Sequence, residues 1–470
     1  MIFGRHTRAT VFLSRARPER ARLSDLLHEE KGGGMEEHAA INEGTLDMET
    51  LKQAIREANR CLNCKQPQCR EGCPIRNDIP EFIAAMAHGD LGEARNVIAR
   101  KSSLPAVCGR VCAHELQCEG HCILGKSGAG IKIGMIERCV ADFSFQMELP
   151  LDRVPQKNKG KVAVIGSGPA GLTVAGDLAK QGFDATVFEA LPEAGGILLY
   201  GIPSFRLSKK VVRREIRNIE ALGVRFETNC TVGRDITVDG MFEKGFDAVF
   251  IGSGTAIAKE LDLPGKELAG VIQSSYMLRT NYLFRSGQLA RGEVLVQPGD
   301  RILIIGAGNV GMDAARTAVQ LGAASVRVIE RGQEREMSAL RSEYASAKGQ
   351  GVLFDWGVTP LAYEGDGVRF TALRVQTSEG ETSIAADKVF LAIGSRPANR
   401  IVSTTTGIAV DDGGYVIIKE RPYGMTTRKG VFAGGDVVHR PASVVLAMRE
   451  AKKVAAGIAE YVSAVKLLEL

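Results

Sequence analysis

Two copies of one strand, glycine-turn, helix, strand plan follow a short helical stretch that gathers eight cysteines. Together they predict an α/β fold: two Rossmann-like nucleotide-binding domains preceded by an all-α domain. The chain has 470 residues, enough for two to four compact domains. Its composition, 44% apolar and 24% charged, is ordinary for a globular protein, and its 54 glycines suit close backbone approach to ligands.

Residues 1–35 read as a basic extension expected to be disordered. Residues 1–34 carry seven Lys/Arg against four acids, so +3 of the net charge of +5 lies there. The near-neutral remainder gives nucleic-acid binding little support. Val11-Phe12-Leu13 is too short for a signal-peptide core, and no apolar run reaches membrane-spanning length. Lys31-Gly32-Gly33-Gly34-Met35 reads as a translated purine-rich ribosome-binding site, which makes Met35 the expected start. Ten cysteines, eight of them clustered, point to ligands in a reducing cytoplasm rather than to a secreted disulfide scaffold.

Residues 36–155 form the expected helical domain. Leu46, Leu51, Ile55 and Ala58 fall at helical spacing and predict a helix from about Leu46 to Arg60. Pro80 to Ala99 predicts two short helices broken at Gly89-Asp90. Pro155 and Gly160, among charges, place a linker between Pro150 and Lys161.

Residues 162–190 then read as strand, Gly-rich turn, helix and strand, and residues 302–331 repeat that order, with Gly306 matching Gly166. In the first copy Gly166 permits the tight turn, and Gly168 lets backbone approach a pyrophosphate. Pro169 and Ala170 open the helix, whose N-terminus offers free N–H groups, and Gly171 allows close helix–strand packing. Glu189 ends the second strand, where a carboxylate can accept both ribose hydroxyls. The second copy has Gly306, Gly308 and Gly311, with Glu330 as its acid. A carboxylate there favours the free 2′-hydroxyl of NAD over the 2′-phosphate of NADP. Arg331 and Arg335 are the cations that stand to offset it, so the preference is a lean toward NADH. Short apolar strands at Ala248–Ile251, Val389–Ile393 and Val431–Ala433 each end at glycine, and a helical pattern runs from Ser443 to about Val462.

The first cysteine run is Cys61-x2-Cys64-x4-Cys69-x3-Cys73-Pro74, and the second is Cys108-x3-Cys112-x5-Cys118-x3-Cys122. The opening C-x2-C and closing Cys-Pro resemble bacterial ferredoxin runs, in which the fourth thiolate reaches across to another cluster. Eight thiolates suffice for two 4Fe–4S centres. Zinc also takes four thiolates, but the x4, x3 and x5 intervals and the Cys-Pro fit iron–sulfur better. Cys139 and Cys230 are expected as small buried hydrophobes. No cysteine lies beyond Cys230, so a redox pair beside a flavin, and with it disulfide reduction, is not expected.

As a set, these motifs resemble the family of the glutamate synthase small subunit. That family also includes the N-terminal half of dihydropyrimidine dehydrogenase and the large subunit of NADH-dependent ferredoxin:NADP oxidoreductase. The resemblance covers about residues 45–460. It rests on Cys61-Leu62-Asn63-Cys64 through Gly72-Cys73-Pro74-Ile75, on Gly195-Gly196-Ile197-Leu198, and on Tyr200-Gly201-Ile202-Pro203-Ser204-Phe205-Arg206-Leu207. Gly308-Asn309-Val310, Met312-Asp313-Ala314-Ala315-Arg316 and Phe432-Ala433-Gly434-Gly435-Asp436 complete it.

The resemblance implies that the first fingerprint binds FAD and the second NAD(P)H. It implies an FAD domain of residues 156–285 and 395–470, split by an inserted NAD(P)H domain of residues 286–394. Gly196 and Ile197, Gly435 and Asp436, and the helix start at Ser443 and Val444 then face the flavin, while Asn309 and Val310 face the nicotinamide nucleotide. One 4Fe–4S cluster takes Cys61, Cys64, Cys69 and Cys122. The other takes Cys73, Cys112 and Cys118, with Glu137 as a fourth, oxygen ligand, and leaves Cys108 a bystander. NADPH-using relatives carry a basic pair where this chain has Glu330-Arg331, which keeps NADH favoured.

The implied activity is hydride transfer from NAD(P)H to FAD, then one-electron transfer through the clusters to a partner. Positioning carries that chemistry, so no catalytic side chain is assigned. The expected partner is a larger catalytic or electron-accepting subunit in a hetero-oligomer, without nucleic acid or membrane. A stand-alone or bifurcating NAD(P)H:ferredoxin oxidoreductase is the alternative, and a zinc-stabilised non-catalytic scaffold is the alternative of another class.

Overall fold

The computed structural model describes residues 46–149, 154–441 and 443–468. The basic extension, the proposed start at Met35, part of the linker and Ala442 lie outside the described residues.

The helical domain forms because its apolar residues recur on one face and its caps are local. Asp47 opens the helix Met48–Ala58 by accepting from Thr50 N at 2.7 Å, and Leu51, Ala54 and Ala58 are buried. Pro80 sits in the first turn of Ile79–Ala87, Gly89 turns with φ +72°, and Asp90 caps Leu91–Ala99 through Glu93 N at 2.9 Å. These helices pack with Ile133–Gln146 around Phe82, Ile83, Met86, Leu91, Ile98, Ile136 and Val140.

The first nucleotide-binding sheet has seven strands. Their order is Ile418–Glu420, Tyr423–Thr426, Val431–Ala433, Ala248–Ile251, Lys161–Ile165, Asp184–Phe188, Arg225–Glu227. Its five strands from Val431–Ala433 to Arg225–Glu227 are parallel. Both faces are covered, so the central strands are apolar and buried apart from Lys161 at the open end of its strand. The helix Val444–Leu468 packs on this unit beside Pro169–Lys180.

The second sheet is parallel throughout, in the order Val271–Gln273, Lys388–Leu391, Arg301–Ile305, Ser325–Glu330, Leu353–Trp356. A three-stranded antiparallel sheet, residues 359–385, packs beside it. The chain passes between the two units as a pair of short antiparallel strands, Ile257–Ala258 and Ser395–Arg396.

That crossing corrects the sequence boundary at 286. Val271–Gln273 already belongs to the second sheet, and Met277 of the helix Ser274–Arg285 lies in its core. A three-residue strand is too short to show a periodicity, and its partner Lys388–Leu391 is remote in the chain. Among the described residues no helix is long and apolar enough to cross a membrane.

Candidate functional site

At the first fingerprint the glycines have separate duties. Gly166 adopts φ +93°, and a Cβ on Gly171 would stand 1.9 Å from Gly166 O. Gly168 is different: a Cβ there would meet nothing within 4 Å, so its backbone borders open space at the start of Pro169–Lys180. Two distant loops close on that point. A Cβ on Gly196, at φ +49°, would touch Gly168 Cα at 2.8 Å, and one on Gly435, at φ +75°, would touch Ala170 at 2.8 Å. Asp436 follows directly, and burial pushes its carboxyl up to about 6. Ile197 is 52% exposed although it opens a helix in this apolar setting. A glycine cradle with free helical N–H groups and an uncovered apolar side chain fits a dinucleotide.

Glu189 is buried beside this cradle. Its Oε2 accepts from Ser167 N at 3.0 Å and from Ser167 Oγ, and its Oε1 accepts from Leu191 N at 2.9 Å. Three of roughly four acceptor positions are thus taken within the chain, leaving room for one further donor rather than two hydroxyls.

The second fingerprint repeats the geometry. Gly306 has φ +109°, and a Cβ on Gly311 would stand 2.0 Å from Gly306 O. Glu330 Oε2 accepts from Ala307 N at 2.9 Å and Oε1 from Gly332 N at 3.3 Å, so lone pairs remain for a ribose. Arg331 and Arg335 are exposed beside it. Asn309 uses its Oδ1 to accept from Leu340 N at 3.1 Å, a structural duty the sequence did not signal, while Val310 is 41% exposed.

The cysteines separate into two groups that draw on both runs. Cys64 and Cys122 lie near enough to Cys61 and Cys69 to push the pKa values of those two upward. Burial comes first and pushes Cys69 up to about 11; the neighbouring thiols add to it. Asn63, at φ +46°, turns the chain so that its N–H meets Cys61 Sγ. The second group, Cys73, Cys112, Cys118 and Glu137, lines one pocket. Burial pushes Cys73 up to about 11, and the Glu137 charge adds to it. Glu137 is buried with Oε1 unpartnered, and burial, followed by the charge of Glu215, pushes it up to about 8.

Four acidic groups brought together out of water stay protonated unless a cation lets them ionise together. Polynuclear iron supplies that charge, so both quartets fit the group the sequence implies. Among the described residues no three His, Cys, Asp or Glu converge tightly enough to hold a single metal ion.

Cys108 is no remote bystander. It lines the same pocket, and its sulfur contacts Cys112, Met448 Sδ at 3.7 Å and Ser102 Oγ at 3.8 Å. Val445, on the helix that begins at Val444, lines the pocket too. The second quartet therefore borders the FAD unit directly. Cys139 is buried as expected, whereas Cys230 is only partly buried at the edge of its cluster.

Two parallel-sheet nucleotide units behind a cysteine-gathering helical domain define a class: FAD- and iron–sulfur-containing NAD(P)H oxidoreductases. Residues 38–149 match the family described as dihydropyrimidine dehydrogenase domain II, 4Fe-4S cluster, and residues 160–451 match pyridine nucleotide-disulphide oxidoreductase. The glutamate synthase (NADPH) small chain of Halomonas elongata is 35% identical over 431 residues, 87% of this chain and 91% of that one. The NAD-dependent dihydropyrimidine dehydrogenase subunit PreT of Escherichia coli is 35% identical over 408 residues, 87% and 94% of the two chains. The fold is shared with T. acidophilum thioredoxin reductase (TM-score 0.50, 20% identity, 64% and 97% covered). It is shared also with Mycobacterium tuberculosis FprA in complex with NADPH (TM-score 0.53, 17% identity, 66% and 86% covered). The chain belongs to the glutamate synthase small-chain-like family of FAD/iron–sulfur NAD(P)H oxidoreductases.

Proposed function

We propose that this chain passes electrons from NAD(P)H, with NADH favoured, to a larger partner protein in a hetero-oligomer. FAD, when bound, accepts hydride and releases electrons singly, and 4Fe–4S clusters carry them one at a time. In this reading Gly166, Gly168 and Gly171, with Pro169 and Ala170, hold the FAD pyrophosphate, and Glu189 takes one ribose hydroxyl. Gly196, Ile197, Gly435, Asp436, Ser443 and Val444 border the flavin. Gly306, Gly308, Val310 and Glu330 hold the nicotinamide nucleotide, with Asn309 shaping the loop.

Cys61, Cys64, Cys69 and Cys122 hold one cluster, and Cys73, Cys112, Cys118 and Glu137 hold the other. The observation that carries this reading is Val445, which lines the second thiolate pocket while, two residues on, Ala447 would meet a Cβ on Gly435 at 3.9 Å. That adjacency gives electrons a short path from the FAD unit into the helical domain.

The cofactor preference rests on Glu330. One relative is named for NADPH and another for NAD, so kinship alone does not choose. The test of function is isolation from native extract. Capture of a stoichiometric larger oxidoreductase subunit is expected. A chain that purifies alone and reduces ferredoxin at useful rates sinks the subunit reading.

A further inference from the structure

Glu215 belongs to the FAD unit, on the helix Lys209–Ala221, yet it serves the helical domain. It is 3% exposed, and its Oε1 accepts from Ala106 N at 2.6 Å. Ala106 is the second residue of the helix Pro105–Val111, whose flanking Leu104 offers no side-chain cap and whose Pro105 has no N–H. The far end of that same short helix is Cys112, which lines the second thiolate pocket. A carboxylate from one domain therefore fixes the strut that presents a thiolate in the other.

Its charge matters as well as its bond. Around it stand Arg214 and Arg110, which share Asp142 at 2.6 and 2.7 Å, all three side chains nearly inaccessible to water. Arg138, partly buried, adds a third cation near Asp142. Asn218 Nδ2 donates to Glu215 Oε2 at 3.5 Å. Glu215 is thus a second carboxylate set against three guanidinium groups, within electrostatic reach of Glu137; burial pushes its carboxyl up, and Arg214, the Ala106 N–H, Asn218 and Arg110 favour its charged form. Negative charge in a low-dielectric setting disfavours adding an electron to a nearby cluster.

We propose that Glu215 is a positioning residue for the second cluster, by which the seated FAD unit holds Cys112 in place and lowers that cluster's reduction potential. The inference rests on the two-cluster reading above, with Glu137 as a ligand.

Glu215→Gln keeps a carbonyl for Ala106 N while removing the charge and the long contact that Oε2 accepts from Asn218. Iron and acid-labile sulfide are expected to stay at about eight each per chain. In a redox titration followed by electron paramagnetic resonance, the potential of the cluster whose signal Glu137→Ala abolishes should move positive. The other cluster's potential should stay in place. Asp177→Asn, at the same domain boundary but bonded to Ser103 and Lys452, should move neither.

Two intact clusters with unmoved potentials in Glu215→Gln overturn the inference. If Glu215→Gln sheds iron instead, loss confined to the cluster whose signal Glu137→Ala abolishes supports the positioning role, and loss of both clusters' signals overturns it. A wild-type chain with about four irons would sink the two-cluster reading before any variant is compared.

Discussion

Arg206 of the FAD unit donates through Nη1 to Asp313 of the NAD(P)H unit at 2.8 Å, with both side chains under 10% exposed. Around this bridge Arg206 also approaches Glu343 at 3.3 Å. Arg316 donates to Glu343 at 2.6 Å while its guanidinium lies 4.1 Å over the Phe205 ring. Two arginines and two acids balance across the seam, so the nucleotide units are fastened by a nearly dry ionic cluster. Removing one partner of such a pair costs at most about 3–5 kcal/mol, since burial pushes the Asp313 carboxyl up to about 7 and it can take a proton once Arg206 is gone. Arg206→Met should lower stability by that order in urea unfolding. It should also slow flavin reduction by NADH in stopped-flow traces, since the seam sets the spacing of the two units.

The glycines of the first fingerprint should separate in their effects. Gly168→Ala meets open space and should fold normally, yet weaken FAD binding by about 1–3 kcal/mol as its methyl enters the cradle. Gly171→Ala drives a methyl onto Gly166 O and should fail to fold. Circular dichroism beside FAD fluorescence titration distinguishes them. Equal FAD affinity in Gly168→Ala and the native chain would place the pyrophosphate elsewhere.

Glu330 should set the nucleotide preference. The native chain is expected to use NADH at least about tenfold better than NADPH in kcat/KM, equivalent to ~1.4 kcal/mol. Glu330→Gln keeps an acceptor for Ala307 N and should narrow the ratio by relieving repulsion of a 2′-phosphate. Native preference for NADPH by that factor refutes the role given to Glu330.

Cluster content should respond to Glu137 and not to Cys108. Glu137→Ala should lose about half the iron and sulfide, and Cys108→Ala should keep both clusters. Because Cys108 touches Cys112 and Met448, the same variant should still loosen packing between the helical domain and the FAD unit. Loss of iron in Cys108→Ala would make that thiol the fourth ligand instead.

Lys209 gives a pH signature. Its Nζ donates to Leu198 O at 2.9 Å and to Ile202 O, yet burial pushes its pKa down to about 7, against an unfolded value near 10.4. Between those values the unfolded chain binds more protons than the folded one. Stability contributed by this residue therefore rises with pH from about 7 to 10.4, and is lost as pH falls through 7, with a slope of at most about 1.4 kcal/mol per unit. Lys209→Met should flatten that rise in denaturant melts taken across the window.

What the sequence made legible was local. Each glycine of a fingerprint constrains its own turn, and each cysteine run keeps its spacing within a dozen residues or so, so both could be read without long-range knowledge. Pairing between distant segments was not legible, as the edge strand Val271–Gln273 illustrates. Two glutamates lay between these extremes. Glu137 shares a helical face with Ile133, Ile136 and Val140, and Glu215 shares one with Val211, Val212 and Ile219. A carboxylate at a core position of an amphipathic helix is a signal that asks for a partner. The family resemblance singles out Glu137, whereas no motif singles out Glu215. The partners that justify their burial lie on other segments.

The strand order of the first sheet also fixes a timetable for biosynthesis. Ala248–Ile251 cannot be covered on its outer edge until Val431–Ala433 has left the ribosome, some time after Lys161–Ile165. Counted from Ala248–Ile251, about 180 residues separate the two strands, and at 5–20 residues per second the delay is roughly 9–36 s. Throughout it the entire inserted unit emerges and can fold, while the nascent FAD unit presents an open sheet edge. Nascent chains therefore spend more than a third of their synthesis as an unfinished flavin fold with that edge uncovered.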